Sequence, residues 1–190
     1  SAASDVYKRQ TKAAWELGKR LGDQVIEQYI ADEGKYPENI GMVFWSGSNM
    51  RSHGQCIAEF LYFMGIKPVW EKGSLQVKRL EVIPLSELMR PRIDVTARIS
   101  GLFRDTMPTV VELLDKAVLL AADLNELEDD NYIKKHISEE SSLMEKSGMT
   151  HEESWRNAAY RIFGDAPGTY GAGVSAVSYT HLRAHETCAD

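Results

Sequence analysis

The sequence predicts an α/β protein: a parallel sheet of about four strands with flanking helices, followed by a helical C-terminal segment. Two patterns and one change of character predict it. Short, nearly continuous apolar runs rich in β-branched residues recur between Ile40 and Ser100, as expected of strands buried on both faces. Longer segments with apolar residues at helical spacing alternate with them. From Asp123 the chain turns charged and hydroxylic, which marks a separate helical segment.

The elements follow in order. Lys12–Ala31 reads as an amphipathic helix through Trp15, Leu17, Leu21, Val25, Ile26 and Tyr29, and Gly34 and Pro37 stop it. IGMVFWS (Ile40–Ser46) is the first strand, and the glycine-bounded GSNMRSHG leads to a helix over Gln55–Met64 that Gly65 ends. IKPVW (Ile66–Trp70) and LEVIP (Leu80–Pro84) are the second and third strands, either side of a charged turn around Gly73. Leu85–Arg90 holds at most a short helical turn, and IDVTARIS (Ile93–Ser100) is the fourth strand. Met107–Ala122 is a helix with Val110, Val111, Leu114, Ala117, Val118 and Ala121 in one stripe. Two more helices are expected, over Asn131–Met144 and His151–Phe163.

The two ends read differently. SAASDVYKRQ (Ser1–Gln10) shows no helical or strand period, and VSYTHLRAHETCAD (Val177–Asp190) is irregular. The first back-translates to a string containing GATGTGTATAAGAGAC, and the second to its reverse complement, so both resemble translated sequencing adapter and are set aside from the fold. The expected organisation is an adapter-like stretch at 1–10, an α/β (Rossmann-like) unit at 11–125, a helical segment with a glycine-rich loop at 126–176, and a second adapter-like stretch at 177–190.

Bulk properties narrow the function classes. The net charge is −6, and the +1 and −1 of the two ends cancel, so there is no basic footprint for nucleic acid or an anionic membrane. No apolar run reaches the ~18 residues of a membrane span. With Cys188 set aside in the end stretch, Cys56 is expected as an unpaired buried residue, which points to a reducing, cytoplasmic setting. GxxxxGK[ST] and GxGxxG are both missing, so no P-loop hydrolyses nucleotide here.

In parallel α/β sheets ligands gather at the carboxyl ends of the strands. Three polar segments are expected there: Trp45–Gln55, Arg98–Asp105 and Arg161–Gly173. In the first, the small residues and Gly54 allow close backbone approach, Arg51 can pair with a carboxylate or phosphate, and His53 can serve as base or metal ligand. An ordinary strand-to-helix turn would read the same way. In the second, Arg98, Arg104, Asp94 and Asp105 either hold the loop by ion pairs or meet a ligand. On spacing alone His136 faces solvent. In the third, Arg161, Asp165 and Tyr170 stand among Gly164, Gly168, Gly171 and Gly173, a density that means tight turns or close ligand approach.

Taken in order, WSGSNMRSHGQ, LEVIPLSELMRPRIDVTARISGLFRD, DNYIKKH and RIFGDAPGTYGAG resemble the large-subunit family of cobaltochelatases and magnesium chelatases over nearly all of Tyr36–Val174. PRIDVTARISGLFRD and YRIFGDAPGTYGAG are the specific strings, and their wording is nearer the cobalt enzyme. One departure is visible: the first segment ends in Gly54–Gln55 where the family commonly has Gly-Glu.

The resemblance implies a fragment of a tetrapyrrole-binding subunit of an ATP-dependent chelatase, inactive when isolated. Co2+ would enter a corrin precursor of cobalamin, hydrogenobyrinic acid a,c-diamide; ATP would be used by separate AAA+ and adaptor subunits. His53 and His136 are the implied base or metal-handling groups. Arg51, Arg98, Arg104, Trp45 and Tyr170 would hold the ring, and Asp94, Asp105, Gly54, Gln55 and Arg161 would support them. Two alternatives stay open: a magnesium chelatase subunit acting on protoporphyrin, and a non-catalytic module that binds tetrapyrrole or docks the motor.

Overall fold

A computed structural model describes residues 2–45, 54–71, 77–164 and 185–187. The elements are α1 (Ala2–Glu33), β1 (Asn39–Phe44), α2 (Gln55–Phe63), β2 (Ile66–Trp70), β3 (Val77–Val82), α3 (Leu85–Leu88), β4 (Asp94–Ile99), α4 (Gly101–Thr106), α5 (Pro108–Ala122), a 3-10 turn (Glu128–Asp130), α6 (Tyr132–Lys146), α7 (His151–Ala158), β5 (Ile162–Gly164) and β6 (His185–Thr187). The α/β class expected from the sequence is the class observed.

The parallel sheet runs in the order β5-β4-β1-β6. β1 and β4 are its centre, paired from Asn39 with Asp94 through Phe44 with Ile99. Their apolar runs place Ile40, Met42, Phe44, Val95, Ala97 and Ile99 in the core. Phe44 meets Phe60 of α2 and Phe103 of α4, with ring centroids 6.0 and 5.5 Å apart.

The membership of the sheet differs from expectation. β2 and β3 form a separate antiparallel hairpin, Ile66 opposite Val82 and Trp70 opposite Val77. The reason is connection length: a parallel crossover needs roughly a dozen residues or more, and the six residues from Glu71 to Gln76 do not span one. The sheet is completed instead by β5, parallel to β4, and β6, parallel to β1. The last expected helix accordingly stops at Ala158, and Ile162–Gly164 is a strand.

Three further expectations change. α1 begins at Ala2, so Ala2–Gln10 continue the helix, and at the other end His185–Thr187 pair with Gly41–Val43. Arg98–Asp105 is not an open loop: Ser100 accepts a hydrogen bond from the Phe103 amide at 3.1 Å and caps α4. Cys56 is disulfide-bonded rather than a free thiol, and the chain's other cysteine, Cys188, lies outside the described residues. His185–Thr187, within the end stretch set apart in the sequence, pair with β1, and the paired Cys56 gives no support to a reducing setting.

α1 lies on α2 at close range. A Cβ on Gly18 would sit 2.7 Å from the Ala58 Cβ, and one on Gly22 would sit 2.9 Å from the Tyr62 ring. The packed stripe therefore runs through Trp15, Gly18, Gly22 and Ile26, with Leu17 and Leu21 only half-buried beside it.

Arg92, 0% exposed, ties the hairpin to the sheet. Its guanidinium donates to the carbonyls of Met64, Gly65 and Ile83 and to both carboxylate oxygens of Glu126. Gly65 turns the chain at φ +70°, and a side chain there would collide with that guanidinium.

Candidate functional site

The carboxyl ends of β5, β4 and β1 stand side by side. Phe44 is level with Ile99, and Ile99 with Gly164. Each of the three segments singled out in the sequence contains or follows one of these strand ends, at the edge where open α/β sheets bind ligands. Gly54 (φ +91°) is the N-cap of α2, and Gln55 is its first residue.

The described side chains at this edge are few. Trp45 follows β1 and is partly exposed, and Leu102 of α4 is exposed. Arg98 lies in register between Val43 and Phe163. Arg104 Nε donates to Asp105 Oδ1 at 2.9 Å. Arg51, His53 and Tyr170 lie outside the described residues. Gly164 is explained by its neighbour: a Cβ there would come within 3.0 Å of Ile99, so the close approach is between strands.

A second charged group sits at the opposite, amino edge. Asp94, the first residue of β4, is 1% exposed, and Arg161, just before β5, is 5% exposed. Arg161 Nε donates to both Asp94 oxygens at 2.9 and 3.1 Å. Its Nη1 donates to the carbonyls of Ala158 and Tyr160, with Glu140 3.6 Å away. His136, on α6, places Nδ1 2.8 Å from Asp94 Oδ2 and Nε2 3.2 Å from Glu38 Oε2. Lys135 pairs with the same Glu38 at 3.1 Å.

The electrostatics follow from these contacts. Burial works against an ionised Asp94, but Arg161 and the hydrogen bonds from Arg161 and His136 outweigh it, and its carboxyl is held below the ordinary range. Burial likewise works against a charged His136, and the carboxylates of Asp94 and Glu38 outweigh that, so its pKa is raised. Both ring nitrogens face acceptors, an arrangement that only the doubly protonated ring satisfies in full. Glu140, whose side chain stays 49% exposed, is pushed up by desolvation in spite of Arg161.

His136 is therefore not the solvent-facing residue that its spacing suggests. Asp94 pairs with Arg161 rather than with Arg98 or Arg104. The strand separates the two edges by about 17 Å, the rise of β1's six residues. His136, Asp94 and Arg161 share the amino edge; Trp45, Arg98, Arg104 and Asp105 share the carboxyl side. No group of three or more His, Cys, Asp or Glu placed to hold a metal ion occurs among the described residues. No described helix is long and apolar enough to cross a membrane.

Two acidic residues escaped the sequence reading. Glu38 directly precedes β1, and only its position beside a strand start hinted at it. Glu59 of α2 is 2% exposed and accepts a hydrogen bond from the Gln55 side-chain Nε2 at 3.1 Å. Burial raises its pKa, and that hydrogen bond offsets only part of the effect. A lone Glu in an apolar helical run was the available signal.

A parallel sheet centred on β1 and β4 with flanking helices defines an open-sheet α/β domain. The family model described as CobN/Magnesium Chelatase matches residues 3–184, and the chain belongs to that family. It is 53% identical over 165 residues to an uncharacterised protein of Methanocaldococcus jannaschii, covering 87% of this chain and 13% of that protein. It is 43% identical over 167 residues to the aerobic cobaltochelatase subunit CobN of a Sinorhizobium species, covering 88% of this chain and 13% of that one. Among solved structures it resembles the catalytic subunit of cobaltochelatase from Mycobacterium tuberculosis. There the TM-score is 0.77 and the identity 45%, over 84% of this chain and 13% of that one. The chain thus spans about 13% of the length of the relatives it matches.

Proposed function

We propose that this chain is a section of the tetrapyrrole-binding large subunit of an ATP-dependent cobaltochelatase, which inserts Co2+ into hydrogenobyrinic acid a,c-diamide during cobalamin synthesis. The supporting observation is convergence: three of the four strings that carry the family resemblance contain or follow adjacent strand ends at one edge of the sheet. The 43% and 45% identities to cobaltochelatase subunits favour cobalt. The magnesium reading, with protoporphyrin as the ring, is favoured by the breadth of the family model, whose description spans both enzymes.

The chemistry assigns roles. Inserting a divalent ion into a free-base macrocycle removes pyrrolic protons, strips water from the ion and distorts the ring. A base of near-neutral pKa suits the first step, and His53 is either that base or a ligand that handles the incoming ion. Arg51, Arg98 and Arg104 orient the ring through its peripheral carboxylates and amides, Arg104 itself steadied by Asp105. Trp45 and Tyr170 cover the macrocycle face. Gly54 and Gln55 let the backbone of the first segment approach the ring. His136, engaged by two carboxylates at the other edge, supports the scaffold and does not act as the base. The AAA+ and adaptor subunits supply ATP hydrolysis.

The test uses the full-length subunit with its partner subunits. His53→Ala is expected to slow Co2+ insertion by roughly 10²–10⁴-fold, the usual contribution of a positioned base. An unchanged rate removes the base assignment. Ring binding without insertion in the unaltered complex would turn the reading towards a binding module.

A further inference from the structure

β5 is three residues long, and its own side chains do little to choose a register. Ile162 is half-buried, while Phe163 and Gly164 are exposed. A strand without an alternating buried face slips easily, because hydrophobic patterning is what normally fixes register. Yet β5 is paired in one register, Ala97 with Ile162 through Ile99 with Gly164, and the Ala97 amide donates to the Arg161 carbonyl at 2.7 Å.

What differs between registers is the buried charge. A slip of one residue moves Arg161 by about 3.3 Å and turns its side chain to the other face. Asp94 and Arg161, both almost wholly buried, would then each be left without the other. The pair is held from behind as well: His136 takes the second Asp94 oxygen, and Arg161 Nη1 is engaged by the last carbonyls after α7. A second observation disfavours the same slip. Gly164 faces Ile99 so closely that a Cβ there would meet Ile99 Cγ1 at 3.0 Å, so a bulkier residue opposite Ile99 requires that side chain to shift.

Stability alone does not account for this pair. Arg161 Nη2 is buried with no hydrogen-bond partner among the described residues. A buried ion pair with an unmet donor stabilises no more than an apolar filling of the same volume, and often less.

We propose that Asp94 and Arg161, backed by His136, are positioning residues: they lock the register of β5 and so fix where Gly164 stands beside Ile99 at the carboxyl edge. The lock acts from the amino edge, at the other end of the strand. That this position serves substrate binding rests on the function proposed above; the lock itself does not.

Hydrogen exchange on the full chain, read peptide by peptide, tests it. Asp94→Asn is expected to speed exchange in the peptide covering β5 by about tenfold or more, while peptides covering β1 and α2 keep their protection. Should that variant fold poorly, the double variant Asp94→Leu/Arg161→Met removes both charges together. It is expected to melt near the parent temperature and still exchange rapidly at β5. Slow exchange at β5 in the double variant, or a loss of protection spread equally over β1 and α2, overturns the lock. In the full-length subunit the double variant is expected to lower kcat for metal insertion. An unchanged kcat with a loosened β5 overturns the site reading of that segment and leaves the lock standing.

Discussion

Replacing Arg92 by Met removes a buried guanidinium while keeping an unbranched apolar stem. Five hydrogen bonds disappear: those to the carbonyls of Met64, Gly65 and Ile83, between 2.7 and 3.1 Å, and the two to Glu126 at 2.8 and 2.9 Å. The consequences are unequal. Gly65 O still accepts from the Ile83 amide, and Glu126 keeps its bond from Asn131. The Met64 and Ile83 carbonyls lose the Arg92 donor, at about 1–3 kcal/mol for each acceptor left unsatisfied. Glu126 loses its cation from a mostly buried position. Together this matches the roughly 3–5 kcal/mol cost of breaking a buried pair by deleting one partner. For a chain of this size each kcal/mol shifts the melting temperature by about 2–4 °C, so Arg92→Met is expected to lower it by roughly 6–20 °C. Thermal unfolding followed by circular dichroism reads it directly. A shift smaller than about 2 °C would refute the idea that Arg92 joins the hairpin to the sheet.

Gly18→Ala improves helix propensity by about 1 kcal/mol, yet its Cβ would meet the Ala58 Cβ at 2.7 Å and the α2 backbone at 3.1 and 3.2 Å. Because backbone cannot yield cheaply, a net loss of about 1–3 kcal/mol is expected in urea denaturation, and a gain would contradict the close approach of α1 to α2. Glu59→Gln removes a carboxyl whose pKa burial has raised. Such a group costs the native state nothing below its unfolded pKa near 4.5, and progressively more as pH climbs towards its folded value. The variant should therefore match the parent at about pH 4 and be the more stable of the two at about pH 7, as read from paired denaturation curves. Equal stability at both values would mean that Glu59 is solvated.

Legibility followed the range of the forces involved. β1, β4, α2 and α5 were readable because each is a local pattern: a buried apolar run, or a stripe closed by Gly65 or opened by Pro108. The runs of β2 and β3 were readable as strands but their antiparallel pairing was not read, although the short charged turn between them excludes a parallel crossover. β5 was not, because three residues carry no period and what holds them is a charge pair 67 positions apart in sequence. The amino-edge group was hidden for the same reason: His136 meets Asp94 and Glu38 across separations of 42 and 98 residues. Spacing on its own helix gave no sign that His136 is half-buried. The carboxyl-edge placement of Trp45 and Arg98–Asp105 was legible because it follows from strand direction alone.

The two edges of the sheet ask different things of charge. At the carboxyl edge a ligand-facing arginine must keep donors available to an incoming group, so the surroundings have to leave it partly hydrated. At the amino edge the charges are matched internally: Asp94 with Arg161 and His136, and Glu38 with Lys135 and His136. Committing charge to fixed partners is a weak way to gain stability but a strong way to exclude alternative packings, because each wrong arrangement leaves a buried ion alone. A short edge strand such as β5 has the most wrong arrangements available and the least apolar surface with which to reject them. It is there, rather than in the well-patterned β1 and β4, that a buried ion pair has the most to contribute.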